Sequence, residues 1–453
     1  MKKSIVMVSI CLLSTVYAAA EGYQVNSQST KQGAMGHVGT AMKLGAESMH
    51  FNPAGLAFMD KTIDLSAGVF GIFSNVEYSN ATGYKHEADN KASTPLYFYG
   101  GFKIYDNLAA GVSVTNPYGS AMNWGVNWAG SGLIQDISLK AFSIQPTVSW
   151  KIMDRLSIGA GLQLVFGDFA LSRALLPAGA LNGLSALGNA QVNAIVDKYK
   201  DMAAASVTLA GDAGLKFGFN VGAMFDISEQ FTVGVSYRSK IEMEVPEGKA
   251  EMNYVNETEL KGMLDMVNPY LGDNAIVIPP LDKGTFSAAL PLPSNFCVGL
   301  NYKPTARWQV SGEVQFVGWG AYKDLNVQFT QEALGDYYSL KAKKDYKNTR
   351  IYRLGAQFAA TQRFDLRLGA YVDESPVKTD YLNPETPSMT KLGMTAGFSF
   401  RPLDNWSVDL GLAYITGFGR DGSYPISENP KQEFAGHYEV SAINASIGLS
   451  YSF

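Results

Sequence analysis

Cysteine is nearly absent from the chain, and this excludes a fold held together by disulfides. The 453 residues include two cysteines, Cys11 and Cys297. Cys11 lies in an N-terminal stretch with two lysines, an apolar run over residues 5–13 and three alanines before Glu21, which is the pattern of a cleaved signal peptide. We therefore predict a signal peptide over residues 1–20. The mature chain then keeps one cysteine and cannot form an internal disulfide.

Charge and long apolar runs are also scarce. Charged residues make up 17% of the chain, against about a quarter in an average soluble protein. The formal net charge of -5 argues against a nucleic-acid partner, which favours basic surfaces. After the N-terminal stretch no segment has the ~18 uninterrupted apolar residues of a transmembrane helix. A chain that crosses a membrane without helices must cross it with strands, in which apolar and polar residues alternate.

Residues suited to catalysis or metal binding are few and scattered. The four histidines, at positions 37, 50, 86 and 437, have no metal-ligand spacing to another histidine or to a cysteine. No nucleophile-elbow motif is present. We predict no catalytic residue, no metal site and no cofactor. An outer-membrane lipase or protease is the alternative from the enzyme class, and an activity assay on the purified protein would distinguish it.

What the chain does contain is a repeated turn-and-strand pattern. Six times a polar residue is followed by a large apolar residue and then by strict alternation, with longer irregular loops between the repeats. The six strands begin at residues 107, 155, 230, 307, 363 and 405. Short turns on one side and long loops on the other are typical of an outer-membrane β-barrel.

Alternation and turn residues together predict an all-β transmembrane barrel of about fourteen antiparallel strands. An even number brings the last strand beside the first and leaves no open edge, as lipid requires. The barrel is expected over residues 61–453, and residues 21–60, which do not alternate, form a separate segment. The predicted strands span residues 62–79, 94–105, 107–116, 138–152, 155–170, 206–227, 230–245, 284–303, 306–329, 345–360, 363–376, 388–402, 405–418 and 438–453.

The alternation also separates the two faces of each strand. In the strand after Arg155, Leu156 and Ile158 are expected to face lipid, while Ser157 and Gln163 face the lumen. A soluble β-sandwich could alternate too, but it would not repeatedly place charges on its inside face. The last strand alternates up to a terminal aromatic residue, Phe453, which resembles the signal bound by the bacterial barrel-assembly machinery.

Two of the long loops carry unusual numbers of apolar residues for segments expected to face water. They span residues 171–205 and 246–283. One interpretation is that the loops simply pack on each other. The other is that they leave an apolar groove for a hydrophobic ligand. The residues chosen for the groove are Leu184, Leu187, Met263 and Leu264.

The segment after the signal peptide carries a family resemblance. Residues 22–29, followed by Phe-Asn-Pro-Ala-Gly-Leu at residues 51–56, resemble the N-terminal hatch of the FadL/TodX family of outer-membrane transporters for long-chain fatty acids and hydrocarbons. Further blocks in family order resemble it along the mature chain, at residues 115–119, 236–241, 290–293, 318–320 and 367–377.

This resemblance implies a fourteen-stranded barrel in a Gram-negative outer membrane, plugged by a hatch over residues 21–60. It implies ligand capture between the two long loops, transfer to a lumenal pocket, hatch movement, and lateral release through a kink in the third strand. Outer-membrane lipid, lipopolysaccharide and the barrel-assembly machinery are the expected partners, and the protein is expected to act as a monomer. The residues matched to the hatch are Asn52, Pro53, Ala54 and Gly55, and those matched to the opening are Asn116 and Pro117.

A fatty acid brings a carboxylate, which must be paired or neutralised inside an apolar conduit. Four basic residues with lumen parity are candidates, and Lys216 and Arg238 lie on adjacent predicted strands, where they could converge. The alternative for each is a salt bridge to a lumenal acid such as Glu313, Asp365 or Asp373. The four candidates are Lys216, Arg238, Arg353 and Arg367.

The ligand itself stays open between a fatty acid, an aromatic hydrocarbon, a steroid and haem. A general diffusion porin is the rival function, and it predicts steady ion conductance.

Overall fold

The structure, a computed structural model, describes residues 22–330, 340–428 and 431–453. The predicted signal peptide, residues 1–20, lies outside the described residues. Within these ranges no helix is both long enough and apolar enough to cross a bilayer. The short helices are α1 (Thr30–Gly33), α2 (Ser48–Phe51), α3 (Ala190–Tyr199) and α4 (Glu257–Leu271), with 3-10 turns at Gly45–Glu47, Pro53–Phe58, Asn182–Leu187, Gly272–Asn274, Leu281–Lys283, Trp319–Ala321 and Thr379–Tyr381.

The described residues form one continuous sheet of antiparallel strands. In chain order the strands are β1 (Ile63–Ser79), β2 (Lys85–Glu87), β3 (Leu96–Tyr105), β4 (Leu108–Asn123), β5 (Asp136–Met153), β6 (Leu156–Leu176), β7 (Ala205–Asp226), β8 (Phe231–Arg238), β9 (Ile241–Tyr254), β10 (Thr285–Leu292), β11 (Asn295–Thr305), β12 (Trp308–Val317), β13 (Asp324–Phe329), β14 (Leu340–Lys343), β15 (Thr349–Ala359), β16 (Phe364–Asp373), β17 (Lys391–Leu403), β18 (Trp406–Gly417), β19 (Arg420–Glu428) and β20 (Lys431–Ser452).

The sheet closes into a ring of fourteen wall strands, which confirms the predicted fold class and strand number. Several wall strands are interrupted once, so β8 continues into β9, β10 into β11, β12 into β13 and β14 into β15. Neighbours in the chain are neighbours in the ring, and β20 pairs with β1 from Asp64↔Ser452 to Ser79↔His437. The ring order is β1, β3, β4, β5, β6, β7, β8–β9, β10–β11, β12–β13, β14–β15, β16, β17, β18 and β20.

Alternation in the sequence becomes two different faces in the structure. On β12, Phe316 is 42% exposed on the outside, whereas Glu313 and Gln315 are buried on the inside. The six short turns predicted from the sequence join β3 to β4, β5 to β6, β7 to β8, β11 to β12, β15 to β16 and β17 to β18. These turns define one end of the barrel, the periplasmic end in an outer-membrane barrel.

At the other end the strands run further than the sequence predicts. β4 continues to Asn123 instead of ending at residue 116, β6 continues to Leu176, and β9 continues to Tyr254. The long loops are therefore shorter than expected and occupy residues 177–204 and 255–284. The extended strands stay paired with each other, and this pairing replaces the irregular loop that the sequence suggested.

Candidate ligand-transport site

The lumen face of the wall changes character halfway along the barrel. On β5 the inward positions Ser143 and Gln145 are polar towards the turn end, whereas Ile137, Leu139 and Ala141 are apolar towards the loop end. All five side chains are buried. A wall whose inward face is apolar can hold a hydrophobic molecule away from water. Each CH₂ group buried in this way stabilises the bound molecule by about 0.8 kcal/mol.

The same change occurs around the ring and creates what we call the apolar chamber. Its lining consists of buried apolar side chains on the inward faces of the extended strands, which form one contiguous cluster. They include Leu139, Phe169, Val207, Leu209, Met243, Phe286, Leu325, Val327, Phe329, Tyr438 and Val440. Sequence reasoning missed these residues because it expected lumenal positions to be polar. The available signal was a reversal of the alternation, as in residues 325–329, where Leu325, Val327 and Phe329 take the inward positions and Asn326 and Gln328 face outward.

The turn half of the lumen is contacted by the N-terminal segment, residues 22–58. Glu47 in this segment is buried and accepts hydrogen bonds from Ser29 Oγ at 2.5 Å and from Ser66 Oγ of β1 at 2.6 Å. Lys31 Nζ lies 3.1 Å from the same carboxylate. On the opposite side of the ring, Glu313 of β12 accepts from the backbone nitrogens of the segment. The segment is thus hydrogen-bonded to inward-facing groups on several sides of the wall.

The sequence-predicted hatch residues are all buried against the wall. Asn52 Nδ2 donates to Thr40 O at 2.7 Å, and it also reaches Ala223 O of β7 at 3.1 Å and Val235 O of β8 at 3.3 Å. Its Oδ1 accepts from Ala54 N at 3.1 Å. Asn52 therefore fixes the segment to two neighbouring strands.

The rest of this motif packs closely on the wall next to Asn52. Pro53 and Ala54 lie over Gly159 of β6, where a Cβ would collide with their backbone. Gly55 sits against Ser48 and Met224 in the same way. The motif acts structurally as an anchor between the segment and strands β5 to β8.

The glycines of the N-terminal segment allow close contact with neighbouring groups. Gly36 has a φ of +66° and lies against the backbone of Leu354 and Ala370, so both its conformation and its contact require glycine. Gly33 and Gly39 face the rings of Phe70 and Phe51. All three glycines thus lie at close contacts, and of the three only Gly36 also has a positive φ.

Asn116 and Pro117 do not end the third wall strand, as the sequence suggested. They lie inside β4 at a bulge, where pairing with β5 shifts register between Thr115 and Tyr118. Proline is tolerated there because a bulge leaves one residue outside the ladder. Pairing with β3 ends at Thr115.

Beyond that bulge the neighbour of β4 is the N-terminal segment instead of β3. Val25 N donates to Pro117 O at 2.9 Å and Gly119 N donates to Tyr23 O at 2.8 Å. Residues 116–122 are buried on both faces. The wall strand therefore turns inward here and is completed by residues 23–25.

Two of the four basic candidates are paired with buried lumenal acids. Arg353 Nη1 lies 2.9 Å from Glu313 Oε1, and Arg353 Nη2 donates to Asn26 Oδ1 at 3.0 Å. Arg367 is buried between Asp365 and Asp409 at 3.7 and 3.9 Å. For both residues the structure agrees with the alternative interpretation, a salt bridge to a lumenal acid.

The other two do not converge, although their predicted strands allowed it. A bulge in β7 near Ala213 and Lys216 shifts the strand, and Lys216 pairs with the half-exposed Glu244 at 2.6 Å. Arg238 is buried and donates to His50 O at 2.7 Å. It forms no ion pair with a carboxylate among the described residues, and its Nε has no hydrogen-bond partner among them.

Arg238 lines a small polar cavity between the N-terminal segment and the wall. The cavity measures about 40 Å³, room for one or two water molecules. Burial and the nearby Arg238 charge lower the pKa of His50, so this histidine is neutral at pH 7 and does not compensate the arginine. No group of described histidine, cysteine, aspartate or glutamate side chains could hold a metal ion.

The two long loops pack on each other, as one of the two interpretations expected. Leu184, Met263 and Leu264 are buried in a small core shared by both loops, whereas Leu187 is 41% exposed. Beside this core lies a groove of 380 Å³ lined in part by Met202, Ala203, Tyr254 and Val255. None of the four chosen residues lines this groove.

Comparison with known proteins agrees with this architecture. A family model described as outer membrane protein transport protein (OMPP1/FadL/TodX) matches residues 11–453. The chain is 23% identical over 450 residues to the long-chain fatty acid transport protein of Escherichia coli strain K12, covering 95% of this chain and 94% of that protein.

Two solved structures share the fold. A Pseudomonas aeruginosa FadL homologue has a TM-score of 0.76 at 18% identity, covering 95% of this chain and all of the other. The Pseudomonas putida toluene transporter TodX has a TM-score of 0.66 at 18% identity, covering 93% and 97% of the two chains. With the family match over nearly its whole length, the chain belongs to the FadL/TodX family of outer-membrane transporters of hydrophobic compounds in Gram-negative bacteria.

Proposed function

We propose that this protein takes up hydrophobic small molecules, most favourably long-chain fatty acids, through the apolar chamber. The chamber is the observation that carries the proposal. A diffusion porin needs a polar, water-filled lumen, whereas here the inward side chains of the loop half are apolar and contiguous.

Capture is assigned to the groove beside the paired loops. Its apolar residues Met202, Ala203, Tyr254 and Val255 belong to both loops and lie at the outer end of the extended strands. The chosen residues Leu184, Met263 and Leu264 lie in the core that the two loops share beside this groove, and Leu187 is exposed.

The carboxylate is assigned to Arg238. It is the candidate whose charge is buried without a carboxylate partner. The polar cavity beside it is also lined by His50, Asn295 and the Arg353–Glu313 ion pair, in which the carboxylate is already used. Arg353 and Arg367 already have acids, and Lys216 is engaged elsewhere. A fatty-acid carboxylate would supply the missing counter-charge.

Residues 21–60 are proposed to act as a hatch, and the bulge at Asn116 and Pro117 as the lateral exit. Asn52 to Gly55 form the fixed end of the hatch, because they are hydrogen-bonded to the wall. Residues 23–25 form the mobile end, because they close β4 through few backbone bonds. Their departure would open the wall beside β3.

The test is uptake of labelled oleate by cells that lack their own transporter, with ion conductance of the purified barrel measured in planar bilayers. The proposal expects saturable uptake and little steady conductance. Conductance without saturable uptake would favour the porin. Native mass spectrometry of the purified protein would then identify the ligand. A fatty acid supports the preferred substrate, and an aromatic hydrocarbon, such as the toluene that TodX transports, would replace it.

A further inference from the structure

The wall has a second discontinuity, three strands along the ring from β4. β7 pairs with β8 from Asp226↔Thr232 to Asn220↔Arg238, and it pairs with β9 from Ala210↔Lys249 to Ala205↔Tyr254. Between these two ladders, residues 211–218 of β7 and 241–248 of β9 are not paired with each other. Eight residues of strand span about 26 Å. We call this opening in the ladder the β7–β9 window.

The window is bounded by paired sheet on all sides. β9 remains paired with β10 apart from a register shift at residues 246–247, and β7 remains paired with β6 apart from a register shift at residues 214–215. Backbone groups at membrane depth stay unpaired only where protein or a cavity covers them. The loss of pairing is therefore a local feature of this part of the wall and not the end of a strand.

Side chains close the window from the inside. Ile241, Met243 and Val245 are all buried on the inward face of β9. Val245 and Ile241 reach across to Gly211 and Gly218 of β7, where a Cβ would collide with them. A ladder of backbone hydrogen bonds is thus replaced by three apolar side chains, which can move by changing rotamer.

The chamber lies directly behind these side chains. Met243 and Val245 line a small apolar cavity together with Ala213 of β7 and with Phe169 and Leu325 of the chamber. The inward face of the window is therefore continuous with the route proposed for the ligand.

The outer face of the window has the chemistry of the lipid–water boundary. Leu215 and Phe217 are 51% and 63% exposed on β7, whereas the outward positions of β9 opposite them are acidic. Lys216 is opposite the buried Val165 in the ladder, so its Cβ starts on the inward face of β7. Its ammonium nevertheless lies 2.6 Å from Glu244, an outward residue of β9 between the buried Met243 and Val245. This ion pair spans the window.

From these contacts we propose that the β7–β9 window is a side port for long-chain amphiphiles already dissolved in the outer leaflet. The alkyl chain passes between Ile241, Met243 and Val245 into the chamber, and an anionic head group exchanges with Glu244 at Lys216. The port rests on the proposed transport function but is distinct from the groove at the loops and from the exit at β4.

The test locks the window in a Cys297→Ser background. Lys216→Cys with Glu244→Cys is bridged by a short bifunctional thiol reagent, and Thr416→Cys with Ser441→Cys, which face each other in the intact ladder between β18 and β20, is the matched control. A fatty acid with a diazirine on its chain, supplied in outer-membrane vesicles, reports on the port by photolabelling of the peptides that contain Phe169 and Met243.

The port predicts labelling of these peptides in the wild type, more of it in Met243→Ala/Val245→Ala, and its loss in the locked window but not in the locked control. Labelling that is absent, or that survives the lock, overturns the port. Uptake of oleate offered in solution is measured in parallel. Normal uptake without labelling at the window would support the transport function and contradict the port. Labelling at the window without uptake would support the port and contradict the transport function.

Discussion

At the scale of single residues, the lumenal charges fall into two groups. Arg353 is paired with Glu313, and Arg367 lies between Asp365 and Asp409, so removing either arginine would leave a buried acid without its cation. Arg238 has a backbone carbonyl and a neutral histidine instead. Alternation in the sequence placed these arginines on the inward face. It could not reveal which were paired, because pairing depends on which residues face one another across the ladder.

We expect Arg238→Gln to weaken binding of a fatty acid and to leave binding of the corresponding fatty alcohol unchanged. A hydrogen bond to a charged group contributes about 2 kcal/mol, which is about 30-fold in Kd. The measurement is titration of the purified protein with both ligands. Arg307→Gln, at the exposed turn before β12, is the control. Equal weakening for the alcohol would show that Arg238 acts on the fold and not on the carboxylate.

His37 supports a prediction on pH. It is buried in the N-terminal segment, and burial, aided by the charge of Arg353, lowers its pKa to about 3. Because the pKa in the folded state is depressed, its contribution to stability is complete above the unfolded pKa of about 6.5. This contribution falls as the pH decreases from there towards 3.

Docking of the segment should accordingly weaken below about pH 6.5, as measured by hydrogen-exchange protection of residues 30–51 corrected for intrinsic rates. His37 has a φ of 60°, a conformation that asparagine tolerates, so His37→Asn removes the titration while keeping the backbone. This variant should show a shallower decline, with the remainder due to His50. An unchanged slope would exclude His37 as the cause.

At the scale of elements, strands in which polar and apolar residues alternate regularly were predicted well from the sequence. Residues such as Trp308 to Phe316 alternate strictly, and all fourteen wall strands were found at nearly the right places. Interruptions of the period were not predicted. The bulge at Asn116 and Pro117 looked like a strand end because proline usually stops a ladder. Its true neighbour, residues 23–25, is distant in the chain and invisible to local patterns.

The anchoring motif allows a direct test at this scale. Asn52→Ala removes the side-chain amide that donates to three backbone carbonyls and leaves these carbonyls buried. Each buried group left without a hydrogen bond lowers the stability by about 1–3 kcal/mol. We expect faster hydrogen exchange in residues 40–58 with little change in the wall strands. Asn405→Ala, in the turn before β18, is the control. Loss of protection throughout the barrel would mean that Asn52 supports the wall as a whole.

At the scale of the whole molecule, the lumen has two halves with different chemistry. The loop half is an apolar chamber, and the turn half is filled with hydrogen bonds between polar wall residues and the N-terminal segment. In the proposed transport, an apolar ligand is held in the first half and excluded from the second. We therefore propose that it leaves sideways or displaces the segment at β4, where residues 23–25 are hydrogen-bonded to the wall strand.

The most direct test of this account fixes those residues to the wall. Gln24 and Tyr118 face each other in a β-bridge, a separation that suits a disulfide. Gln24→Cys/Tyr118→Cys in a Cys297→Ser background is compared with the Thr416→Cys/Ser441→Cys pair, in which the disulfide joins two wall strands. The account predicts that oxidation stops uptake of labelled fatty acid in the first variant alone, and that a reductant restores it. Equal uptake by the oxidised and reduced forms of the first variant would contradict release through movement of the segment at β4.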